Sequence, residues 1–293
     1  MKPERILAVV DGKDDGEVVL RKTRVIASHS NAAVHVIRVI HEGFVDLSVL
    51  DDEKSAELHD YLMAASKDWL EELVAPLDWV TNRLTVEVIW FKSAWQAILN
   101  AATSFNADVI IKGTHSREGV SVRTPEDWHL LRNTTMPVML LKALAWREHP
   151  VVLAAVDIET EDQAALNARI LTRGAELARC IGGELHTVTV FPAVEHWVGP
   201  VTLAIDFDKT RAQIRTQFAE RLNTLAAGLN VDVAKAHAVE GRPEVAISSL
   251  ISTLKAEVTV LGTVQRRGPG GLLIGNTSEK ILNEADCDVE VLR

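Results

Sequence analysis

The chain carries the same strand and loop landmarks twice. The segment Ile6–Asp11 (ILAVVD) returns as Val152–Asp157 (VLAAVD), a shift of 146 positions, and Val109–Thr114 (VIIKGT) returns as Val258–Thr263 (VTVLGT), a shift of 149. The loops that follow the two shared glycines differ sharply from each other. Because strands carry packing whereas loops carry binding chemistry, this pattern indicates one scaffold used twice, with one site changed.

The length fits two domains. A chain of 293 residues accommodates two domains of about 145 residues, each large enough to bury its own core. We predict a first domain over residues 1–143, a linker over residues 144–150 and a second domain over residues 151–293. The linker is short and contains Trp146, so we expect the two domains to pack together.

Both copies alternate short β-branched runs with longer helical patterns, which is typical of parallel strands joined by helical crossovers. Continuous apolar runs such as Ile6–Val10 indicate strands covered by helices on both faces. We therefore predict an α/β fold of two tandem five-stranded parallel sheets. The predicted strands lie near residues 5–10, 33–40, 84–91, 108–112 and 137–142, and near 151–156, 184–191, 231–238, 257–261 and 288–292. Predicted helices of the second copy lie near 161–181, 208–228, 243–254 and 277–285.

Charge and composition exclude several classes of partner. The net charge of -10, from 41 acidic and 31 basic residues, gives no overall electrostatic reason to bind nucleic acid or an anionic membrane. No apolar stretch approaches the length of about 18 residues that a membrane span needs. Cys180 and Cys287 do not form a disulfide framework, and the N-terminal residues do not resemble a signal peptide. We expect a cytoplasmic protein with reduced thiols, no nucleic-acid partner and no membrane association.

A glycine-rich loop marks a candidate site in the second copy. In an open parallel sheet the ligand crevice lies beyond the carboxyl ends of the strands, which Asp157 and Gly262 mark here. Five glycines lie from Gly262 to Gly275, directly before a predicted helix, and backbone N–H groups in such a place bind phosphate oxygens. Two structural alternatives stay open: Asn276 and Glu279 could form a variant capping box, and Asp157 could simply cap the next loop.

This pattern resembles the nucleotide loop of universal stress proteins, in which a strand ending in Asp is followed later by Gly-x2-Gly-x9-Gly-Ser/Thr. Here the loop reads Gly262-x2-Gln265-x9-Gly275-Asn276, so the second glycine is replaced by Gln265 and the small hydroxyl residue by Asn276. The order of strands and helices extends the resemblance to the whole chain. The first copy also contains Asp127-Trp128-His129-Leu130-Leu131, which is similar to the tandem, UspE-like branch of the family.

The resemblance implies an adenine-nucleotide site, with ATP as the expected cofactor, in the second copy. Asp157 would face the ribose or adenine, Val190 would line the base pocket, and residues 275–277 would face the phosphates. Gln265 departs from the family pattern, because its side chain and restricted backbone replace a glycine that lets phosphate approach. The candidate residues are Asp157, Val190, Leu261, Gly262, Gln265, Gly275, Asn276 and Thr277.

The first copy departs further from the pattern. Offsets of three and thirteen from Gly113 lead to Ser116 and Glu126, so neither later glycine is present. The segment Thr124–Asp127 instead predicts a helix capped by Thr124, with two carboxylates in its first turn. Carboxylates at a helix N-terminus occupy the place of a phosphate, so we expect nucleotide in the second copy only.

No catalytic motif is present: the sequence lacks a Gly-x-Ser-x-Gly elbow, a His-Glu-x-x-His pair and a cysteine cluster, and His115 and His129 lack matching metal ligands. We therefore expect a stress-response regulator or binding protein without efficient catalysis. The alternative is a structural stress protein that acts through unknown protein partners or a hydrophobic ligand, since the loops 43–50 and 194–205 are apolar. A weak ATPase has no specific support.

The family resemblance also implies how the two copies associate. Single-domain members pair through their last strands, which correspond here to Val138–Lys142 and Val289–Arg293. We therefore predict an intramolecular pseudo-dimer of the two domains. A homodimer of two chains is a further prediction.

Overall fold

A computed structural model describes residues 2–41, 51–79, 83–117, 120–122, 124–193, 206–263, 266–268, 271–273 and 275–293. The apolar loops 43–50 and 194–205 lie outside these residues, as does Gln265. The chain divides into two compact units, Lys2–Ala145 and Trp146–Arg293. None of the helices in the described ranges is long and apolar enough to cross a membrane.

The first unit is a parallel sheet with the strand order β7-β4-β1-β2-β3. Its strands are β1 (Arg5–Val9), β2 (Ala33–His41), β3 (Leu84–Phe91), β4 (Val109–Gly113), β5 (His115–Arg117), β6 (Val120–Val122) and β7 (Val138–Leu141). Its helices are α1 (Lys13–Ser30), α2 (Asp52–Val74), α3 (Ala94–Phe105) and α4 (Pro125–Asn133). The strands β5 and β6 form a separate antiparallel pair in the loop after β4.

The second unit repeats this arrangement with the order β14-β11-β8-β9-β10, again parallel. Its strands are β8 (Val151–Ala155), β9 (Glu184–Phe191), β10 (Lys235–Glu240), β11 (Val258–Gly262), β12 (Arg266–Gly268), β13 (Gly271–Leu273) and β14 (Asp288–Leu292). Its helices are α5 (Ala164–Ile181), α6 (Phe207–Gly228), α7 (Pro243–Leu254) and α8 (Asn276–Glu284). The strands β12 and β13 form an antiparallel pair in the loop after β11.

The predicted α/β fold of two tandem parallel sheets is confirmed. As the unbroken apolar runs predicted, the central strands are buried. Helix α5 packs so closely on its sheet that a Cβ atom added at Gly174 would lie 2.9 Å from Cδ1 of Leu185. Where the sequence predicted only a loop after the shared glycines, each unit forms a short antiparallel hairpin. The sequence gives no alternating pattern long enough to reveal strands of three residues.

The strand predicted near residues 231–238 begins later, at Lys235. The reason lies at the end of α6, where Asn230 adopts a left-handed conformation with φ 53° and the N–H of Val231 donates to the carbonyl of Ala226. Val231 is buried, so its apolar side chain belongs to the helix-terminating turn rather than to the sheet. An apolar residue in such a turn is indistinguishable by pattern from the start of a strand.

Two histidines lie side by side on neighbouring strands of the second unit. Nε2 of His237 on β10 is 3.1 Å from Nδ1 of His186 on β9. Burial, the adjacent His186 and the ammonium group of Lys235 lower the pKa of His237 to about 4. Burial also lowers the pKa of His186, against the opposite effect of the Glu184 carboxylate and with a smaller lowering effect from Lys235. The pair is therefore neutral in the folded protein at neutral pH.

The equivalent pair in the first unit has a different chemistry. The registers place His35 opposite Leu7 and His186 opposite Leu153, so the two histidines occupy the same position of the repeat. There the partner is Glu87, whose Oε2 lies 3.0 Å from Nε2 of His35. One unit thus pairs histidine with carboxylate and the other pairs histidine with histidine.

This difference predicts acid sensitivity in the second unit. A histidine with a pKa lowered from 6.5 binds fewer protons when folded, so its contribution to stability is present above pH 6.5 and is lost as the pH falls towards 4. We expect the free energy of unfolding to fall by about 1–2 kcal/mol over this pH range, allowing for the partial exposure of His237. Urea unfolding across this pH range should show a smaller loss in His237→Glu, which copies the first unit. Equal losses in both proteins would contradict the prediction.

Candidate functional site

A cavity of about 570 Å³ lies beyond the carboxyl ends of β8 and β11 in the second unit. It is bordered by α5 and by the first residues of α7 and α8. Gln265, the remaining candidate from the sequence, lies outside the described residues. The cavity brings together seven of the eight candidates, namely Asp157, Val190, Leu261, Gly262, Gly275, Asn276 and Thr277.

The wall of the cavity at Gly262 is set by close packing of α5 against β11. A Cβ atom at Gly262 would lie 2.7 Å from Cδ2 of Leu166 and 2.8 Å from Cδ1 of Ile170, and both side chains line the cavity. A larger residue at this position would push these side chains aside. Gly262 therefore has a packing role that is independent of any ligand.

At Gly275 the described residues leave the surroundings open. This residue is the N-cap of α8, with φ -59° and ψ 139°, and a Cβ atom added there meets no atom of the described residues within 4 Å. Glycine has no side chain that could accept a hydrogen bond from the first-turn N–H groups of the helix. The N-cap lies one position before Asn276, so the capping box proposed through Asn276 and Glu279 does not form. The start of α8 thus presents backbone donors beside the cavity.

Asp157 uses its carboxylate to close the loop that follows β8. Oδ1 accepts from the backbone N–H of Glu159 at 3.0 Å and of Thr160 at 3.3 Å, and Oδ2 accepts from the Thr160 hydroxyl at 2.9 Å. Burial, and to a lesser degree the Asp157 carboxylate, raise the pKa of Glu159 at the same place, with an opposite, smaller effect from Arg221. Asp157 therefore caps the loop after β8, which is the structural alternative that the sequence left open.

The backbone of Asp157 is held by Asn167, a residue that the sequence did not single out. Oδ1 of Asn167 accepts from the N–H of Asp157 at 3.1 Å, and Nδ2 of Asn167 donates to the carbonyl of Asp157. Asn167 is buried and lines the cavity. It is the fourth residue of an 18-residue helix, and the fourth residue of the matching helix α1 is Gly16. The signal in the sequence was a polar amide, Asn167, among the residues of the buried face of α5.

The first unit fills the equivalent place with its own side chains. Nζ of Lys112 on β4 lies 2.5 Å from Oδ2 of Asp11 and 3.0 Å from Oδ1 of Asp127, and Lys112 and Asp127 are almost fully buried. Burial alone would lower the pKa of Lys112, but the two carboxylates raise it above its usual range. We call these three residues the first-unit triad. The repeat aligns Lys112 with Leu261, which has no charge.

Asp127 also caps its helix, as the sequence predicted for this segment. The N–H of Thr124 donates to Oδ2 of Asp127 at 2.8 Å, and the N–H of Asp127 donates to Oγ1 of Thr124 at 3.3 Å. The matching third residue of α8 is Ser278, whose hydroxyl donates to the carbonyl of Gly262 at 2.9 Å. Two helices at equivalent positions therefore begin with a carboxylate in one unit and with uncharged residues in the other.

The family model described as "Universal stress protein family" matches residues 3–142 and 150–293. This chain belongs to the universal stress protein family. Universal stress protein E of Escherichia coli strain K12 is 26% identical over 302 residues, which cover 99% of this chain and 94% of that protein. The prediction of a tandem, UspE-like member is thereby confirmed.

The comparison with solved structures also found universal stress proteins. A putative universal stress protein from Pseudomonas aeruginosa UCBPP-PA14 is 25% identical, covers 99% of this chain and 93% of its own, and superposes with a TM-score of 0.73. A universal stress protein from Archaeoglobus fulgidus, solved in complex with dAMP, is 20% identical, covers 50% of this chain and 98% of its own, and has a TM-score of 0.33. Within the part of the chain that the structure describes, no three His, Cys, Asp or Glu residues are grouped to hold a metal ion.

The two hydrogen bonds of Asn167 predict a measurable role in stability. Asn167→Ala removes the buried partners of the Asp157 peptide group, and we expect the second unit to lose about 1–3 kcal/mol of unfolding free energy. Urea unfolding followed by circular dichroism measures this loss. Thr160→Val removes an exposed hydrogen bond to the same aspartate and serves as the control, with a smaller expected effect. A loss in Asn167→Ala no greater than in Thr160→Val would refute the positioning role.

Proposed function

We propose that this universal stress protein is a stress-response binding protein that takes up an adenine nucleotide, ATP, in its second repeat. The observation that carries the proposal is the open, glycine-capped start of α8 beside a cavity of about 570 Å³. That volume falls within the range of roughly 300–1,000 Å³ that is usual for small-molecule sites. The resemblance of the loop to the family's nucleotide loop supplies the class of ligand.

Two helix N-termini in the wall of the cavity favour an anion, whereas the carboxylates of Asp157 and Glu159, which also line it, oppose one. Pro243, the first residue of α7, and Asn276, the first residue of α8, both line it, so two helix N-termini meet there. Helix N-termini carry partial positive charge, which suits phosphate oxygens. The N–H donors come from α8, because Pro243 has no N–H and the N–H of Val245 donates to the carbonyl of Arg242. The apolar side chains of Val190 and Leu261 supply a surface for the base.

The first repeat is proposed to bind no nucleotide. Its triad places the buried carboxylate of Asp127 at the start of α4, where the second repeat has Ser278. A phosphate there would meet a like charge and would have to break the ion pairs of Lys112. The first repeat therefore has a structural role. The protein partners stay unidentified.

We also propose binding without rapid turnover. Phosphoryl transfer needs cations and a positioned nucleophile beside the phosphates. The described lining of the cavity contains neither lysine nor arginine, and Asp157 is engaged with its own loop. The pseudo-dimer of the two repeats, the homodimer and the cytoplasmic location stay predictions.

A structural protein without nucleotide is the second candidate function. Two observations favour it: Asp157 satisfies its carboxylate within its own loop, and Gly262 is required by the packing of α5. Under this candidate the protein acts through partner proteins or a hydrophobic ligand. Calorimetry with ATP separates the two functions, because only the first predicts binding.

Gly275 gives a sharp test of the site. In Gly275→Asp the described residues leave room for the new side chain, and aspartate is a favoured N-cap residue. We therefore expect the free energy of unfolding to stay the same or to rise by a few tenths of a kcal/mol. The added negative charge should abolish ATP binding in isothermal titration calorimetry. Gly275→Asn has a similar size and capping ability without the charge, and should retain binding. Unchanged affinity in the folded Gly275→Asp protein would place the site elsewhere.

The restriction to one repeat has its own test. We expect one nucleotide bound per intact chain. Leu261→Lys combined with Ser278→Asp transplants the first-unit triad into the second repeat beside Asp157, and should remove that one site because lysine and carboxylate fill it. The matching control, Leu261→Met, keeps an apolar residue and should still bind. A stoichiometry of two in the wild-type protein would refute the restriction.

A further inference from the structure

A cluster of three charged residues joins the starts of α7 and α8. Oε1 of Glu244, which is largely buried, accepts from Nζ of Lys280 at 3.0 Å and from Nε and Nη2 of Arg242 at 3.1 and 2.5 Å. The backbone N–H of Glu244 itself, Lys280 and Arg242 lower the pKa of Glu244 to about 2. The carboxylate is therefore charged at neutral pH, and the cluster carries one net positive charge.

The cluster borders the cavity without forming its described lining. Arg242 and Glu244 flank Pro243, which lines the cavity. Lys280 follows Asn276 by four positions in α8 and so lies on the same side of the helix, next to a cavity residue. The side chains of Arg242 and Lys280 are 72% and 49% exposed, so an anion from solvent can reach both cations, although the carboxylate that they share is largely buried.

In the first repeat the equivalent two helices are also in contact, but through uncharged aromatic rings instead of an ion pair. Helices α3 and α7 have 12 residues each, and α4 and α8 have nine each, so Glu244 matches Trp95 and Lys280 matches His129. The rings of Trp95 and His129 stack with centroids 5.6 Å apart. Both repeats thus join these two helices, but the second repeat does so with two exposed cations, Arg242 and Lys280.

We propose that Arg242 and Lys280 bind the terminal phosphates of a nucleoside di- or triphosphate, and that Glu244 is the counterion they exchange for those phosphates. The inference rests on the proposed nucleotide site and names the side chains that hold its terminal phosphates. The N-terminus of α8 suffices for one phosphate. A longer phosphate chain extends towards the cluster, where its charge replaces that of one carboxylate.

The test compares AMP, ADP and ATP on the intact protein by isothermal titration calorimetry at constant ionic strength. We expect wild type to bind ATP more tightly than AMP. Lys280→Gln and Arg242→Gln should each weaken ATP binding by about fivefold, the effect of one exposed charge pair, and leave AMP unchanged. Glu244→Gln should tighten ATP binding. Lys67→Gln removes an exposed lysine of α2 in the first unit and should change neither affinity.

Each outcome bears on the inference. Equal affinities for AMP and ATP in wild type, or equal losses of both in Lys280→Gln, overturn it and leave the nucleotide site intact. No binding of any nucleotide overturns the proposed function and the inference together. If Glu244→Gln fails to fold, as circular dichroism would show, Lys280→Gln and Arg242→Gln still decide.

Discussion

The parallel sheet imposes one constraint on which the rest of each unit depends. Because every strand of the sheet runs in the same direction, the carboxyl ends of the first and fourth strands and the starts of the following helices meet at one edge. Helix N-termini carry partial positive charge and unsatisfied N–H groups, so this edge requires negative charge or polar acceptors. The two units meet the same requirement in different ways, and the difference between them is the chemistry of the protein.

The first unit meets it internally. Asp127 caps α4 and neutralises Lys112, which also holds Asp11. In the second unit the aspartate at the end of the first strand, Asp157, closes its own loop instead, and Asn167 fixes its backbone. Glycine at the start of α8 and apolar Leu261 on the strand leave the space that the first unit fills with charge.

The fold was predictable because buried parallel strands appear as unbroken apolar runs, and because the repeat locates equivalent strands in two copies. The grouping of residues such as Asp157 and Gly275 around one cavity follows from the same topology. Lys112 and Asn167 were not predicted, since their meaning depends on partners that only the folded chain brings near. The late start of β10 was missed because a buried Val231 in a turn has the same pattern as a strand residue.

The first-unit triad also constrains how this chain can change during evolution. Removing Lys112 leaves the buried carboxylate of Asp127 without its cation, at a cost of about 3–5 kcal/mol. Domains are stable by only about 5–15 kcal/mol, so such an intermediate sequence would fold poorly. Loss of Asp127 leaves Lys112 paired with Asp11, so Lys112 can be lost only after Asp127 or together with it. The charges of the triad thus fix the order in which single mutations could reopen the first repeat.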